Sequence, residues 1–257
     1  MVKNKGIVTH DWLERTEMLI GREALDKLKA ARILVVGLGG VGAYAAEMIC
    51  RAGTGSMTIV DGDIIHATNI NRQLIALNST LGLKKTELMA SRLMDINPDL
   101  KLNIISEYVR GDRLPEILEE KFDYVVDAID TLTPKVFLIW HSIQRKYPLV
   151  SSMGSGGKTD PLKVRITDIS ETTDCNLARI LRKKLHKLGV KDGFKAVWSP
   201  ETTDKTKIIP TAGEQNKASI VGTVSYMPVA FGIACASVVI RDITGLSQYR
   251  NFLCGPL

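Results

Sequence analysis

Apolar runs and amphipathic segments alternate along the first part of the chain. ARILVVG (31–37) is a continuous apolar run that ends in glycine, as is typical of a buried parallel strand, and the following GGVGAYAAEMICRAG predicts a helix. The alternation predicts strands at 56–61, 101–109, 122–130 and 147–152, and helices at 11–30, 84–96, 113–120 and 134–146. The predicted fold class is α/β, a doubly wound, mostly parallel Rossmann-like sheet with N-terminal helices and a C-terminal extension.

The pattern changes after residue 160. Another strand is predicted at 160–170, a basic helix at 175–190, and a mobile loop rich in Thr, Lys and Pro at 199–218. Residues 219–240 carry no charge and are long enough to span a bilayer, but proline, glycine and serine dilute their hydrophobicity. We therefore expect a buried helix with a preceding strand or turn and no stable membrane insertion, while peripheral membrane contact stays open.

Composition and charge narrow the class of protein only modestly. The 257 residues are 45% hydrophobic and 24% charged, which are ordinary globular values, and the net charge of +6 favours polyanionic partners such as nucleic acid without requiring one. The four cysteines form no C-x-x-C pair and the histidines show no H-x-x-x-H spacing, which disfavours a structural zinc site and a secreted disulfide framework. Because the N-terminus shows no signal peptide, we expect a cytoplasmic protein.

The glycine-rich segment GLGGVG (37–42) lies between a predicted strand and a predicted helix. Its glycines permit close approach of the backbone to a ligand, and the N-terminus of the helix offers unpaired N–H groups to an anion. We therefore expect a nucleotide phosphate to bind at Gly37, Gly39, Gly40 and Gly42. The glycines alone do not say which nucleotide is bound.

A second glycine-rich segment, SMGSGGKT (152–159), ends like a Walker A motif. Ser152 occupies the position of the required first glycine, and Asp160 and Pro161 precede a predicted strand where a P-loop needs a helix. Lys158 would therefore lack the helix dipole that assists phosphate binding in a P-loop. We reject this segment as a P-loop.

Polar residues follow the second predicted strand, in the segment DGDIIHATNINRQ (61–73). Asp61 can accept hydrogen bonds from ribose hydroxyls, and Arg72 is a permanently charged fork suited to phosphate oxygens. Neutral hydrogen bonds can be added by Asn69 and Gln73.

Two more charged residues are expected over the same crevice. Lys85, at the start of the next helix, can supply a second cation, and Asp130, after the strand VVDAID, can hold a magnesium ion. An NAD site that binds pyrophosphate mainly through backbone amides has little need of Arg72 and Lys85. Two cations with a metal-binding carboxylate suit a triphosphate whose bond is to be broken.

The motifs GLGGVG, IVDGD, NINRQ, GLKK and DAIDT together resemble those of the ubiquitin-activating-type adenylating enzymes. The chain is similar to the bacterial members that act with molybdopterin and thiamine sulfur carriers, over about residues 12–152. The resemblance implies ATP as the nucleotide and Mg2+ at Asp130. The implied nucleotide contacts are Gly37, Gly39, Gly40, Gly42, Asp61, Asp63, Asn69, Arg72, Gln73 and Lys85.

The same resemblance implies a homodimer. In this family an arginine of the partner subunit completes the site, and Arg15, in ERTEMLIG, occupies the matching position. The implied catalytic residues are Arg15, Arg72, Lys85 and Asp130.

The chain departs from the sulfur-carrier adenylating enzymes in two ways. Those enzymes generally carry a pair of C-x-x-C zinc motifs and many use a cysteine thiol, neither of which is matched here. The second half carries PLVSSMGSGGKTDPLKVRITDIS (148–170) and the basic helix. With these segments the chain instead resembles the tRNA threonylcarbamoyladenosine dehydratases along nearly its whole length. That resemblance implies that ATP activates the threonyl carboxylate on a tRNA adenosine and that loss of AMP closes a ring, a net dehydration.

A single adenylating domain is therefore expected over residues 1–257. Its nucleotide-binding core covers 12–152, a basic helix and mobile loop are inserted at 175–218, and an apolar segment and tail follow at 219–257.

The basic segment LARILRKKLHKLGVK (177–191) contains no acidic residue. The residues expected to form its buried stripe are Leu177, Ile180, Leu181, Leu185 and Leu188. Its cations suit tRNA phosphates, but a solvated basic helix face has the same sequence pattern. The residues expected to contact tRNA are Arg179, Arg182, Lys183 and Lys187.

Three other interpretations stay open at this point. One is an adenylyltransferase that activates the C-terminal carboxylate of a ubiquitin-like sulfur-carrier protein. Another is an NAD-dependent oxidoreductase, which would give Arg72, Lys85 and Asp130 no role. The third is a catalytically silent tRNA-binding or partner-binding scaffold. The sequence also leaves open a monovalent cation, Na+ or K+, after strand YPLVSS, and a sulfur-transfer partner of the cysteine desulfurase system.

Overall fold

The computed structural model describes residues 12–109, 113–204, 206, 208–210 and 219–246. Its main sheet contains β1 (Arg32–Val36), β2 (Ser56–Val60), β3 (Lys101–Ile105), β4 (Tyr124–Asp127), β5 (Leu149–Ser152), β6 (Arg165–Asp168) and β7 (Lys195–Trp198). The strand order is β3-β2-β1-β4-β5-β7-β6, and all neighbours pair in parallel except β6 with β7. A separate antiparallel pair consists of β8 (Ile208–Pro210) and β9 (Ser219–Val221).

Helices cover both faces of the main sheet. They are α1 (Glu14–Ile20), α2 (Arg22–Ala30), α3 (Gly42–Arg51), α4 (Lys85–Ile96), α5 (Leu114–Ile117), α6 (Leu132–Gln144), α7 (Asn176–Lys187) and α8 (Tyr226–Thr244). Alternate residues of β1 point to opposite faces, so Ile33 and Val35 join one core with α3, α4 and α8. Leu34 and Val36 join a second core with α5, α6 and α7.

This topology confirms the predicted doubly wound, mostly parallel sheet. Strand order reverses direction at β1, because β2 and β3 lie on one side of it and β4 and β5 on the other. In open sheets of this kind a crevice opens at the reversal point, beyond the carboxyl ends of the strands. The residues that follow β1, β2 and β4 therefore meet at one place.

Several element boundaries differ from the predicted ones. The predicted helix at 11–30 is broken into α1 and α2 by Gly21, whose φ is 84°. The strand predicted at 122–130 ends at Asp127, which leaves residues 128–131 as a loop. β7 was not predicted, and β8 lies inside the predicted mobile loop at 199–218, of which 205, 207 and 211–218 lie outside the described residues.

The apolar segment at 219–240 forms β9 and α8, as the prediction of a helix with a preceding strand expected. α8 has the length and hydropathy of a membrane-spanning helix, and half of its most apolar window is buried inside the protein. It packs against α3, where a Cβ atom on Gly232 would lie 2.6 Å from the Val41 carbonyl oxygen. α8 is therefore a helix of the protein core.

A buried carboxylate joins α3 to α4. Glu47 is 4% exposed and accepts hydrogen bonds from Arg92 on α4 and, at 2.8 Å, from Arg51. Burial raises the pKa of the Glu47 carboxyl, but the hydrogen bonds from Arg92 and Arg51 outweigh burial and hold it below its usual value. Glu47 therefore stabilises the fold in its charged form.

We expect Glu47→Gln to lower the free energy of unfolding by about 1.5–3 kcal/mol near neutral pH, because charge-assisted hydrogen bonds are lost. A carboxyl whose folded-state pKa is depressed contributes stability above its unfolded pKa and loses it as pH falls. The difference between wild type and variant should therefore shrink as the pH falls below about 4.5. Urea unfolding of both proteins at a series of pH values measures this difference in the free energy of unfolding. A difference that does not change with pH would contradict the proposed role of the Glu47 charge.

Candidate nucleotide-binding site

The predicted glycine turn lies at the reversal point of the sheet. Gly37 has a φ of 92°, and its N–H donates to the Val60 carbonyl at 2.8 Å. A Cβ atom on Gly37 would lie 2.7 Å from the Ala128 carbonyl oxygen, and one on Gly42 would lie 1.7 Å from the Gly37 carbonyl oxygen. The N-cap residue of α3, Val41, forms no side-chain cap, and the Ala43 N–H donates to the Gly39 carbonyl at 3.3 Å. The other N–H groups of the first turn suit a ligand or water.

Asp61 follows β2 and is tied to the glycine turn. Its Oδ2 accepts from the Leu38 N–H at 2.6 Å, and its Oδ1 accepts from the Asp63 N–H at 2.8 Å. Burial raises the pKa of the Asp61 carboxyl, and the Lys85 charge and the two amide hydrogen bonds act in the opposite direction. A carboxylate has about four acceptor positions, so Asp61 retains capacity for further donors such as ribose hydroxyls.

Asp63 and Lys85 form a close ion pair beside Asp61. The buried Lys85 Nζ lies 2.6 Å from Asp63 Oδ2. Asp63 Oδ1 also accepts from the Tyr108 hydroxyl at 3.3 Å and lies 3.4 Å from His66 Nε2. Burial raises the pKa of the Asp63 carboxyl. The hydrogen bond and the charge of Lys85 outweigh burial, so the pKa of this carboxyl lies below its usual value. The pairing of these two expected nucleotide contacts with each other was not predicted.

Arg72 lies against the glycine turn, since its carbonyl oxygen would be 3.2 Å from a Cβ atom on Gly40. Its Nη1 donates to the Thr68 carbonyl and to Asn71 Oδ1, both at 2.8 Å. These two bonds orient the guanidinium, whose remaining N–H groups are available for an anion.

Gln73 has a buried oxygen without a partner. Its Oε1 makes no hydrogen bond in the part of the chain that the structure describes, and its Nε2 would lie 3.8 Å from a Cβ atom on Gly39. Buried polar atoms of native proteins nearly always have a partner, so this oxygen suits a ligand that carries a donor. Asn69 is also buried, but its Oδ1 accepts from the His66 N–H at 3.1 Å and so holds the local turn.

A buried ion pair shapes the loop that carries Asp130. Lys135 Nζ lies 2.8 Å from Asp127 Oδ2, which also accepts from the Ser151 hydroxyl at 2.7 Å. The same ammonium donates to the Ile129 carbonyl at 3.0 Å. This network holds the backbone on both sides of Ala128, the residue against the glycine turn, and Asp130 follows as an exposed side chain. Lys135 was not among the predicted site residues, although a lysine four residues after the strand-end segment DAIDT is the available signal.

The C-terminal region also contacts the site. Asn71 Nδ2 donates to the Thr223 carbonyl at 3.0 Å, and a Cβ atom on Gly40 would lie 2.9 Å from Pro228 Cβ. These contacts were not predicted, because residues so far apart in the chain leave no local sequence signal.

Arg15 lies elsewhere in the same chain. It is exposed on α1, whose neighbour Leu13 packs against Gly53 beyond the end of α3. α3 has 10 residues and is therefore about 15 Å long, with the glycine turn at its other end. The structure does not bring Arg15 to the other candidate residues of its own chain.

The four residues expected to contact tRNA differ in their surroundings. Arg182 Nη1 donates to the Ile169 and Thr172 carbonyls, at 3.4 and 2.5 Å, so this guanidinium is held by the protein itself. Arg179, Lys183 and Lys187 are exposed on α7. The buried stripe of α7 is formed by Ala178, Leu181 and Leu185, and the expectation that Leu188 belongs to it was wrong, because Leu188 is 38% exposed beyond the end of the helix.

The chain belongs to the ThiF family, whose model matches residues 13–255. Among curated proteins, it is 34% identical to the tRNA threonylcarbamoyladenosine dehydratase of Escherichia coli over 257 residues, which cover 92% of this chain and 96% of that protein. It is 41% identical to the Bacillus subtilis protein of the same name over 188 residues, which cover 73% of this chain and 74% of that protein.

A solved structure of an enzyme of that name is also similar to this chain. The crystal structure of the E. coli tRNA N6-threonylcarbamoyladenosine dehydratase TcdA in complex with ATP matches with a TM-score of 0.83 and 32% identity, over 95% of this chain and 100% of that one.

Proposed function

We propose that this protein is an ATP-dependent dehydratase that cyclises threonylcarbamoyladenosine in tRNA through an acyl-adenylate. The observation that carries the proposal is that the C-terminal region, through Thr223 and Pro228, is built into the nucleotide site itself. The similarity to the dehydratases extends through that region, whereas the motifs shared with sulfur-carrier adenylating enzymes end near residue 152.

The chemistry requires activation of a carboxylate. A carboxylate oxygen of the threonyl group attacks the α-phosphorus of ATP, and pyrophosphate leaves. The neighbouring ureido group, held close in the same nucleoside, then attacks the acyl carbon, loses a proton and releases AMP. Counted from the neutral carboxylic acid, the nucleoside loses the carboxyl oxygen with its hydrogen and the hydrogen of the ureido nitrogen, which together amount to one water. No enzyme nucleophile is required.

In this proposal the protein positions ATP and neutralises its charge. Asp61 accepts from the ribose hydroxyls, Gln73 Oε1 accepts from a donor of the nucleotide, and Arg72 and Lys85 bind phosphate oxygens. Lys85 would remain anchored by Asp63 while it does so. These groups stabilise the charge that develops on the leaving pyrophosphate.

Asp130 would hold Mg2+. Among the described residues no group of three His, Cys, Asp or Glu could hold a metal ion by itself. Proteins commonly bind Mg2+ through one or two carboxylates together with substrate phosphates and water, so the Asp130 carboxylate with the phosphates of ATP fits this ion. Bound there, Mg2+ would neutralise phosphate charge. A monovalent cation after β5 stays a prediction without a role in these steps.

A homodimer would supply an arginine that the nucleotide site lacks within its own chain. Arg15 lies at the opposite end of α3 from its own glycine turn, and the same end of the molecule exposes Trp12, Met18 and Leu19, by 49%, 81% and 84%. Exposed apolar side chains of this size suit an interface with a second copy, through which the partner's arginine reaches the site. The cytoplasmic location and a sulfur-transfer partner of the cysteine desulfurase system stay predictions.

The exposed cations of α7 give a prediction about tRNA. We expect the double variant Lys183→Glu/Lys187→Glu to weaken tRNA binding at least tenfold and to flatten its salt dependence, because each phosphate contact adds to the slope. Filter binding between 50 and 200 mM salt measures both quantities. Lys101→Glu/Lys121→Glu is the matched control, and equal affinities for all three proteins would exclude α7 from the tRNA surface.

The products made from ATP test the proposed reaction class. Incubation with ATP, Mg2+ and tRNA that carries threonylcarbamoyladenosine should give AMP and pyrophosphate in equal amounts, and tRNA with an unmodified adenosine should give neither. Production of ADP and phosphate would contradict the proposal. AMP production with a ubiquitin-like sulfur-carrier protein in place of tRNA would favour the alternative adenylyltransferase.

A further inference from the structure

Three lysines are buried in the described part of the chain, and two of them have a carboxylate partner. Lys85 lies 2.6 Å from Asp63, and Lys135 lies 2.8 Å from Asp127. Lys158 is the third. It is only 4% exposed, and it makes no hydrogen bond or ion pair with the residues that the structure describes. Its side chain is packed by the protein, but its ammonium has no carboxylate partner like those of Lys85 and Lys135, so it suits an anion that a ligand brings.

Lys158 lies in the loop after β5, the segment that resembles a P-loop without being one. The structure confirms that rejection, because a 3-10 turn at Pro161–Lys163 and then β6 follow the loop in place of a helix. The phosphate chemistry of a Walker lysine is therefore not available to explain Lys158.

The backbone on both sides of Lys158 is fixed to the connection between β9 and α8. Gly157 N–H donates to the Gly222 carbonyl at 2.8 Å, and the Tyr226 hydroxyl donates to the Thr159 carbonyl at 2.9 Å. The same connection supplies Thr223, whose carbonyl accepts from Asn71 beside Arg72. The loop that carries Lys158 is thus hydrogen-bonded to the part of the C-terminal region that borders the nucleotide site.

A carboxylate that contacts this loop, Glu201, is engaged with other donors. Glu201 Oε1 accepts from the Thr159 N–H at 3.1 Å and from its hydroxyl at 3.2 Å, and Glu201 Oε2 accepts from the Ser199 hydroxyl at 3.0 Å. Glu201 therefore fixes the loop backbone and forms no ion pair with Lys158.

We propose that Lys158 binds the carboxylate of the threonylcarbamoyl group and so brings it to the α-phosphate. This inference rests on the proposed function and assigns a residue to its substrate. Two anions, the triphosphate and the carboxylate, must meet in one site. Arg72 and Lys85 are proposed for the phosphates, which leaves the carboxylate without an assigned cation. The Lys158 ammonium supplies the charge for the carboxylate and selects tRNA that carries the threonylcarbamoyl group over tRNA with plain adenosine.

The first test is stability without any ligand. Lys158→Met breaks no hydrogen bond or ion pair with the described residues and keeps the length of the side chain, so its Tm should not fall below that of wild type. A lysine with a structural partner behaves in the opposite way, and Lys135→Met is the matched comparison that should lower Tm. A clear fall in the Tm of Lys158→Met would overturn the proposal.

The second test is discrimination between substrates. AMP release is measured against the concentration of tRNA carrying threonylcarbamoyladenosine, with binding of ATP alone measured in parallel. Lys158→Met should raise the KM for this tRNA about tenfold or more, and Lys158→Arg should restore part of the loss. The affinity for ATP alone should not change, and the exposed Lys163→Met should behave as wild type. Lys158→Met should also bind modified and unmodified tRNA equally, whereas wild type distinguishes them.

The outcomes separate the two proposals. An active wild type with an unchanged KM in Lys158→Met would overturn the role of Lys158 alone, and so would a variant that loses affinity for ATP itself. A wild type that releases no AMP with this tRNA would overturn the proposed function, and the inference about Lys158 with it.

Discussion

Arg72→Ala is expected to lower kcat/KM for ATP-dependent turnover of tRNA by about 10²- to 10³-fold, the size of effect seen when one preorganised charge donor is removed from an active site. The guanidinium is already oriented by the Thr68 carbonyl and Asn71 Oδ1, at 2.8 Å each, so little ordering is needed when phosphate binds. A guanidinium is a permanent cation, so Arg72 offers a fixed charge to the phosphates.

The measurement is the rate of AMP release at a limiting concentration of ATP. Arg72→Lys keeps the charge but loses the planar fork, and it should fall between Ala and wild type. Arg22→Ala, which removes an exposed arginine of α2, is the matched control and should retain full activity. Activity of Arg72→Ala within a factor of a few of wild type would show that Arg72 does not contact the reacting phosphates.

Gly42→Ala is expected to abolish ATP binding, with a loss of affinity of about 100-fold or more, together with about 1–3 kcal/mol of the free energy of unfolding. The added Cβ would lie 1.7 Å from the Gly37 carbonyl oxygen, which is backbone and cannot rotate away. The turn must open to accept it, and the N–H groups at the start of α3 then no longer point to a common centre.

Calorimetric titration with ATP and thermal unfolding of the free protein measure the two effects. Gly39→Ala lies in the same turn, but its nearest neighbour would be 3.8 Å away, so it should leave the stability of the free protein unchanged. If Gly42→Ala bound ATP as wild type does, the glycine turn would not be the phosphate-binding element.

The fold could be predicted from the sequence because buried strands and helices leave recognisable patterns in short, continuous segments of the chain. Continuous apolar runs such as ARILVVG identify strands that are buried on both faces, and their rhythm with helices limits the sheet to a doubly wound form. β7 was missed because KAVW is short and lies between two loops. Gly21 looked like part of one long helix, since glycine is tolerated in helical patterns until its φ is known.

The candidate site could be predicted only in part. Residues that follow β1, β2 and β4 were expected to meet, because the carboxyl ends of parallel strands share one edge of the sheet. The pairing of Lys85 with Asp63, and the burial of Lys158 without a partner, depend on side-chain positions that no spacing rule supplies. The contact of Asn71 with Thr223 depends on how a segment about 150 residues later returns to the sheet.

The mass of the product nucleoside tests the central claim most directly. Purified protein is incubated with ATP, Mg2+ and tRNA that carries threonylcarbamoyladenosine, the tRNA is digested under conditions that preserve a cyclic product, and the nucleosides are weighed. The account predicts that threonylcarbamoyladenosine loses the mass of one water, that the loss requires ATP, and that Arg72→Ala does not produce it. A nucleoside of unchanged mass, from a protein that binds ATP and this tRNA, would contradict it.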